Sequence, residues 1–336
     1  MENKPKYRPD PKLKLIDQVR QVLRYHHYSL RTERTYCDWI VRYVKFHGAK
    51  KHPRRMGKTE IEAFLTHLAV NRNVAAATQN QAFNAILFLY KMVLDIPIEE
   101  KISAVRAHNR RRLPVVMSQN EVNQVISQMT GVHQLMAQLM YGGGLRLMEC
   151  IRLRVKDLDF QRNLIYVRAG KGAKDRVTLF PASTHAQMAS QLEKVSALHE
   201  RDLSEGFGEV YLPGALARKY PGAPRQFGWQ YVWPAKKRSK DPQSGKIRRH
   251  HVLESGLQKA IKRAVERAGL TKRVTSHTFR HSFATHLLEN GTNIRAVQEL
   301  MGHADLRTTL IYTHVMDKAI DGVVSPLDAL VAKGAI

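Results

Sequence analysis

A late tyrosine, Tyr312, is the residue of this sequence whose neighbours most clearly point to chemistry. It follows His303 by nine residues, and both follow the segment that carries His277 and Arg280. Arginine forms charged forks that match phosphate oxygens, and histidine exchanges a proton near neutral pH. A tyrosine hydroxyl can attack phosphorus and leave a covalent intermediate. Together with Arg146, far upstream, these residues predict an enzyme that cleaves a phosphodiester with a protein nucleophile.

Arg146 follows three consecutive glycines, which let a backbone turn tightly and approach a ligand closely. Glu149 lies one helical turn further on, where its carboxylate is placed to orient the arginine. Taken alone, these two residues are better explained as an ordinary surface ion pair. Only the motifs elsewhere in the chain favour a catalytic role for Arg146.

His277 and Arg280 are three residues apart, so a helix presents them on one face. We expect Phe279 and Phe283 to point into the core and leave this polar pair free. A zinc site is the competing hypothesis, since His277 and His281 are four residues apart. The pattern lacks the glutamate of a His-Glu-x-x-His protease and any nearby cysteine. The sequence therefore predicts no bound metal and no cofactor.

Charge indicates the kind of partner. The 336 residues carry a formal net charge of +26, which favours a polyanion: nucleic acid first, an anionic membrane surface second. No apolar run is long enough to span a bilayer, and the first residues lack the apolar core of a signal peptide. Only Cys37 and Cys150 are present, so no disulfide framework is implied and a reducing cytoplasm fits best.

Composition and periodicity divide the chain into two domains, with a mainly α fold and a small β-sheet (α+β). Residues 1–11 read as a flexible basic tail and 12–103 as a domain of four amphipathic helices. Residues 104–114 read as a basic linker whose arginines can follow a phosphate backbone, although a solvated charge run is the commoner meaning of such a stretch. The arginines in question are Arg110, Arg111 and Arg112.

The second predicted domain, residues 115–336, opens with the capping-box pattern Ser118 to Glu121. Helices lead to the glycine turn, and residues 163–167 and 175–179 then read as two strands of a hairpin. Residues 205–251 are rich in Gly, Pro, Arg and aromatics. Further helices are predicted over residues 253–268 and 277–290, each stopped by a glycine.

Five motifs resemble, in order, the signature boxes of the tyrosine recombinase (phage-integrase-like) family. They are Gly144-Leu145-Arg146, Gly170-Lys171-Gly172, His277-x-x-Arg280, Leu300-x-Gly302-His303 and Ile311-Tyr312-Thr313-His314. The resemblance covers nearly the whole chain. Residues 205–251 further resemble the insertion of the integron integrase subgroup. The family implies a two-domain C-shaped clamp, with a four-helix core-binding (SAM-like) domain and a C-terminal catalytic domain.

The resemblance also implies a mechanism and partners. Arg146 and Arg280 bracket the scissile phosphate, and Tyr312 attacks phosphorus to give a 3′-phosphotyrosine that leads to a Holliday junction. His277 is the expected base, His303 a phosphate contact and Lys171 the acid that protonates the 5′-oxygen. The expected partners are double-stranded attachment sites and a folded single-stranded hairpin site, bound by a homotetramer on two DNA sites. Bacterial cytoplasm, at the nucleoid, is the expected location.

Aromatic and cationic side chains alternate in the 205–251 block, as in surfaces on which unpaired bases stack. The residues expected to contact DNA there are Trp229, Pro242, Arg248, Arg249, His250 and His251. The alternative is that the aromatics, Phe227 and Tyr231 above all, only pack the inserted segment.

Two other functions share part of this residue set. A type IB topoisomerase-like enzyme uses the same chemistry without the inserted block. A non-catalytic DNA-binding regulator would show the loss of Tyr312 or of a catalytic arginine, and none of these is lost.

Overall fold

The computed structural model describes residues 7–49, 51–97, 113–168, 175–241 and 244–313. Over these residues the chain is mainly helical with small antiparallel sheets, which confirms the predicted fold class. It divides into two units, Met1–Arg111 and Arg112–Ile336. Five of the predicted functional residues lie outside the described residues: Arg110, Arg111, Arg112, Lys171 and Pro242.

Within residues 7–49 and 51–97 the first unit has four α-helices, as the apolar spacing predicts. They are α1 (Leu15–Tyr25), α2 (Leu30–Phe46), α3 (Lys58–Thr66) and α4 (Ala76–Phe88), the last two continued by π-helical turns at His67–Asn71 and Leu89–Leu94. Trp39, Ile40 and Tyr43 of α2 are buried, and their spacing of one, three and four residues places them on one apolar face. The hydroxyls of Tyr43 and Tyr90 lie 2.9 Å apart, so these buried polar groups satisfy each other inside the core.

The second unit is also mainly helical, and two small sheets interrupt its helices. Its described helices are α5 (Gln119–Ser127), α6 (Gly131–Gly142), α7 (Leu147–Ile151), α8 (His185–Ser204), α9 (Gly214–Lys219), α10 (Glu254–Arg267), α11 (Ser276–Glu289), α12 (Ile294–Met301) and α13 (Arg307–Leu310). The predicted capping box at the start of α5 is confirmed, because Ser118 Oγ accepts from the Glu121 amide while the Glu121 carboxylate accepts from the Ser118 amide.

The predicted strand pair is confirmed, and it forms two strands of a three-stranded antiparallel sheet. Its strands are β1 (Leu158–Asp159), β2 (Leu164–Val167) and β3 (Arg176–Leu179), and Val167 pairs with Arg176. Along β3 the exposed Val177 and Leu179 alternate with the buried Thr178. Arg176 therefore points to the same side as Thr178, towards the interior. A second sheet pairs β4 (Ser239–Lys240) with β5 (Ile247–Arg248).

The glycine turn between α6 and α7 is pressed between this sheet and α11. A Cβ on Gly143 would lie 2.6 Å from the Leu179 carbonyl oxygen, and one on Gly144 would lie 2.5 Å from the Phe283 ring. Gly144 also has φ +60°, a region that side chains disfavour. Only glycine fits at these two positions, and Arg146 follows the turn two residues later.

The inserted block is tied to the rest of the unit by two arginines. The Arg154 guanidinium donates to the carbonyl oxygens of Trp229, at 2.5 Å, and Tyr211, at 2.9 Å. Arg249 forms a fork with Asp202 of α8, with distances of 2.5 and 2.7 Å. These contacts position the block by charge and hydrogen bonding. Across the described part of the chain, no helix combines the length and apolar character needed to cross a membrane.

The packing around the glycine turn predicts a loss of folding stability when Gly144 gains a side chain. Gly144→Ala and Gly131→Ala both place a side chain at positive φ, which costs about 1 kcal/mol. The space around Gly131 is open, whereas the Gly144 variant also meets the Phe283 ring. Overpacking there adds about 1–3 kcal/mol. Urea unfolding should therefore show a larger loss for Gly144→Ala, and equal losses would contradict the packing described here.

Candidate active site

Three arginine side chains converge on the carboxylate of Glu149. Arg146 donates to it twice, from Nη1 to Oε1 at 2.7 Å and from its backbone amide to Oε2 at 2.8 Å. Arg176 forms a fork with the same carboxylate, at 2.8 and 2.7 Å, and Arg280 Nη1 lies 3.9 Å from Oε2. The predicted contact between Arg146 and Glu149 is confirmed. It is not a surface pair, because the Glu149 side chain is only 9% exposed.

The pKa of Glu149 is lowered in this site by its arginine partners. Burial by itself raises the pKa of the carboxyl, but hydrogen bonds and charge from Arg176, with further hydrogen bonds from Arg146, lower that pKa to about 2. The carboxylate is therefore ionised throughout the neutral range and offsets part of the charge of the arginines.

The same three arginines bind three consecutive carbonyl groups at the end of α12. Arg176 Nε donates to Leu300 at 2.9 Å, Arg280 Nη2 donates to Met301, and Arg146 Nη2 lies 3.4 Å from the carbonyl oxygen of Gly302. The last carbonyls of a helix lack intrahelical partners and form the negative end of its dipole. The end of α12 is therefore a cation-binding turn, and His303 follows it directly.

The burial of Arg280 differs from the prediction that His277 and Arg280 form a polar pair free of the core. Its side chain is 4% exposed, and it donates to the carbonyls of Gly144 and Met301. Burial first, and then the charges of Arg146 and Arg176, lower the pKa of the guanidinium to about 9. Arg280 is thus still charged at neutral pH. Its burial is possible because backbone carbonyls replace the water that a guanidinium would otherwise need.

His303 lies in the break between α12 and α13, as predicted. Its Nε2 is 3.4 Å from Arg280 Nη2, and its Nδ1 is 2.9 Å from the Thr309 hydroxyl. Burial, followed by the charges of Arg280, Arg146 and Arg176, lowers the pKa of this imidazole to about 4. A guanidinium only donates, so Nε2 accepts and Nδ1 carries the hydrogen. The ring is therefore neutral and fixed on both sides.

Tyr312 lies in the turn after α13 and is 2% exposed. Its hydroxyl is 3.0 Å from His281 Nδ1, and its ring stacks near His303 with centroids 6.2 Å apart. Burial raises the pKa of the phenol, although Arg280 and Arg146 act in the opposite direction. Burial, with His277 and Arg280, lowers the pKa of His281 to about 4. A protonated phenol therefore donates to a neutral imidazole.

Two histidines of α11 lie on the side of the site that faces Tyr312, and they differ in exposure. His277, the expected base, is exposed, and its ring centroid is 6.4 Å from that of His281. His281 contacts the tyrosine hydroxyl instead. Among the residues that the structure describes, no three His, Cys, Asp or Glu side chains are grouped as metal ligands would be.

The residues expected to bind DNA in the inserted block have different environments. Trp229 is half-buried, with Lys156 Nζ 2.7 Å from its ring centroid, and His250 is exposed. His251 is 6% exposed, so its ring packs within the domain. Arg248 binds Asp241 at 2.6 Å and Arg249 binds Asp202, so carboxylates of the protein already compensate both charges. Tyr231 is buried, in agreement with the packing alternative.

Sequence reasoning missed two members of the site. The sequence places Arg176 only in a strand, and it offers His281 only as an imidazole near His277 and a candidate zinc ligand. No sequence signal indicated Arg176, because alternation along β3 predicts that the apolar Val177 and Leu179 face the interior, whereas the structure buries Thr178 and the side chain of Arg176. For His281 the spacing of four residues from His277 placed it on the correct face of α11.

Two family models match the chain. One, described as the phage integrase family, matches residues 115–319, and the other, the N-terminal SAM-like domain of phage integrases, matches residues 15–100. The chain therefore belongs to the phage integrase family, the tyrosine recombinases. It is an enzyme, a tyrosine-type site-specific DNA recombinase.

Curated relatives and solved structures agree with this assignment. An "Integrase/recombinase" of Escherichia coli is 48% identical over 320 residues, covering 95% of this chain and 94% of the relative. The tyrosine recombinase XerA of Thermococcus onnurineus (strain NA1) is 37% identical over 209 residues, 61% of this chain and 60% of the relative.

Two solved structures have the same fold at low identity. XerH recombinase bound to palindromic difH substrate matches with TM-score 0.58 and 18% identity, over 96% of this chain and 99% of that one. A lambda integrase dimer bound to a COC′ core site matches with TM-score 0.58 and 15% identity, over 89% and 93%.

The pKa of Glu149 predicts a pH dependence of stability. The folded value, about 2, lies below the ordinary value of 4.5, so the stabilisation is complete above pH 4.5 and is lost as the pH falls towards 2. The shift corresponds to about 3 kcal/mol as an order of magnitude. Glu149→Gln should lower the free energy of unfolding at pH 7 and flatten its dependence between pH 4.5 and 2.

Urea unfolding at several pH values measures both effects. Glu266→Gln is the matched control, since that side chain is 60% exposed in a pair with Lys262. Parallel pH curves for Glu149→Gln and the unmodified protein would show that the carboxylate is not coupled to the arginines.

Proposed function

We propose that this recombinase is an integron-type integrase. It integrates and excises gene cassettes between attachment sites, including folded single-stranded hairpin sites, through a 3′-phosphotyrosine and a Holliday junction. One observation carries the proposal: the hydroxyl of the buried Tyr312 lies 3.0 Å from the neutral imidazole of His281, with Arg280 and Arg146 close enough to act on the pKa of the phenol. A phenol beside guanidinium groups suits the formation of a tyrosyl phosphodiester. The 205–251 block supports the integron subgroup.

The arginines take the first catalytic role in this proposal. Arg146 and Arg280 bind the non-bridging oxygens of the scissile phosphate and stabilise the charge of the transition state. Three guanidinium groups face one carboxylate, so the site keeps an excess positive charge for an anion. The energy of the broken bond is retained in the phosphotyrosine. No ATP and no metal are needed for that step.

Proton transfer assigns the remaining roles. The oxygen of Tyr312 attacks phosphorus while the bond to the 5′-oxygen breaks, and Lys171 gives that oxygen a proton. The pKa of His281, about 4, makes it a poor acceptor for the phenolic proton, so we keep the exposed His277 of the same helix as the base. His281 holds the hydroxyl before attack. A bound phosphate would raise the pKa of His303, whose Nε2 could then donate to it.

DNA is the proposed partner, in double-stranded and hairpin form, and a tetramer on two sites is the proposed assembly. The net charge of +26 supports a phosphate backbone as ligand. Similarly folded recombinases are described as DNA complexes, XerH with difH and lambda integrase with a core site. Arg110, Arg111 and Arg112 are proposed to follow that backbone between the two domains.

The inserted block is proposed to hold extrahelical bases of the hairpin. Trp229 and the exposed His250 are its main candidates, and Pro242 is a further one. Arg248, Arg249 and the buried His251 contribute indirectly in this proposal, because their side chains support the block. A hairpin site offers unpaired bases without the cost of opening a duplex, so stacking adds directly to binding.

The nucleophile is tested with Tyr312→Phe, which removes only the attacking oxygen. We expect the variant to fold and to bind DNA with unchanged affinity. It should form no covalent adduct on a nicked suicide substrate, where the unmodified protein is trapped. A normal adduct yield would refute Tyr312 as nucleophile, and absence of adduct from the unmodified protein would favour a non-catalytic regulator.

The hairpin is tested by the affinities of Trp229→Ala and His250→Ala for a hairpin site and for a duplex site. We expect each to lose about 1–3 kcal/mol on the hairpin, the worth of one stacked base, and much less on the duplex. Tyr220→Ala is the control, an aromatic of the same block that is 46% exposed. Equal losses on both substrates would mean that the block only supports the fold.

A further inference from the structure

We propose that Arg176 is a positioning residue of this recombinase: it fixes the orientation of Arg146 and of the turn before His303 without binding DNA itself. The inference rests on the proposed catalytic role of Arg146. Arg176 begins β3, and its side chain is 8% exposed. All three of its nitrogens donate to the protein, two to Glu149 and one to Leu300. It has little surface left for a substrate phosphate.

The first positioning contact acts through Glu149. Each oxygen of this carboxylate accepts one hydrogen bond from Arg146 and one from Arg176. The planar fork of Arg176 holds the carboxylate in one plane, and the carboxylate then holds both the backbone and the guanidinium of Arg146. Because Arg146 and Arg176 share the single negative charge of Glu149, that carboxylate neutralises the charge of Arg146 only in part. Arg146 is thereby kept in place and kept positive towards an incoming phosphate.

The second contact acts through the end of α12. Arg176 Nε holds the Leu300 carbonyl, and the carbonyls of Met301 and Gly302 face Arg280 and Arg146. Gly302 has φ +58°, and a Cβ there would lie 2.6 Å from Arg176 Cδ. The arginine stem therefore packs directly on this turn. A shift of Arg176 would displace the carbonyls that orient both proposed phosphate-binding arginines, and His303 with them.

Arg176→Lys tests the role, because lysine keeps the charge and loses the fork. We expect single-turnover adduct formation on the suicide substrate to slow by about 10²-fold, the scale of a small misplacement of catalytic groups. The dissociation constant for DNA should change less than threefold. Arg168→Lys is the matched control: this arginine pairs with Asp157 at 2.8 Å just after β2, and its side chain is 50% exposed. An unchanged cleavage rate in Arg176→Lys would overturn the proposal.

A double-mutant cycle separates positioning from general stabilisation. If Arg176 acts through Arg146, Arg146→Lys with Arg176→Lys should cleave at nearly the rate of Arg146→Lys alone. Losses that multiply would overturn that route. The Tyr312→Phe variant distinguishes the two proposals. Covalent adducts formed by that variant would overturn the proposed function. Cleavage by the Arg176→Lys variant at the rate of the unmodified protein would overturn only the role of Arg176.

Gly302→Ala provides a second variant if Arg176→Lys does not fold. It presses on the same arginine without removing any charge, and we expect slower cleavage with unchanged DNA affinity. Gly291→Ala is its control, since φ is +83° and no atom lies within 4 Å of the added Cβ. Equal cleavage rates in these two variants would show that the contact with Arg176 does not position the site.

Discussion

The mutual repulsion of three guanidinium groups is the constraint on which the site depends. Arg146, Arg176 and Arg280 lie around one carboxylate, so the formal charge of the group is three positive minus one negative, or +2. Such a cluster is stable only if fixed dipoles supply the rest, and the three carbonyls at the end of α12 do so. The excess charge is organised before any substrate arrives, which is the arrangement that stabilises a transition state most.

The same short segment connects this charge to the proposed nucleophile. His303 follows the carbonyl turn directly, and Thr309 binds its Nδ1 and also accepts from the Tyr312 amide at 3.1 Å. Burial and the charge of Arg280 keep His281 and His303 neutral, and burial keeps the Tyr312 phenol protonated although Arg280 and Arg146 lower its pKa. A bound phosphate would act against the arginines on the pKa of these imidazoles, because its negative charge favours the protonated ring.

Two basic residues of the inserted block have a structural role in the folded domain. The sequence predicts that Arg248 and Arg249 contact DNA. In the structure Arg248 binds the carboxylate of Asp241, and Arg249 binds the carboxylate of Asp202 and the carbonyls of Ala235 and Lys236, so both hold the block in place. Of the residues proposed to hold bases, Trp229 is half-buried and His250 is exposed. The protein's own ion pairs and hydrogen bonds therefore support the block on which these two side chains lie.

The sequence by itself determined the helices, the strand pair, the capping box and the contact of Arg146 with Glu149. These features depend on periodicity or on neighbours three and four residues apart, which the chain order contains. Only the tertiary structure decided that His281 meets Tyr312, that Arg280 is buried, and that Arg176 shares Glu149 from 27 residues away. The physical reason is that a charge or an imidazole can be satisfied by many partners. Which partner it meets depends on how distant elements pack, and no local pattern records that.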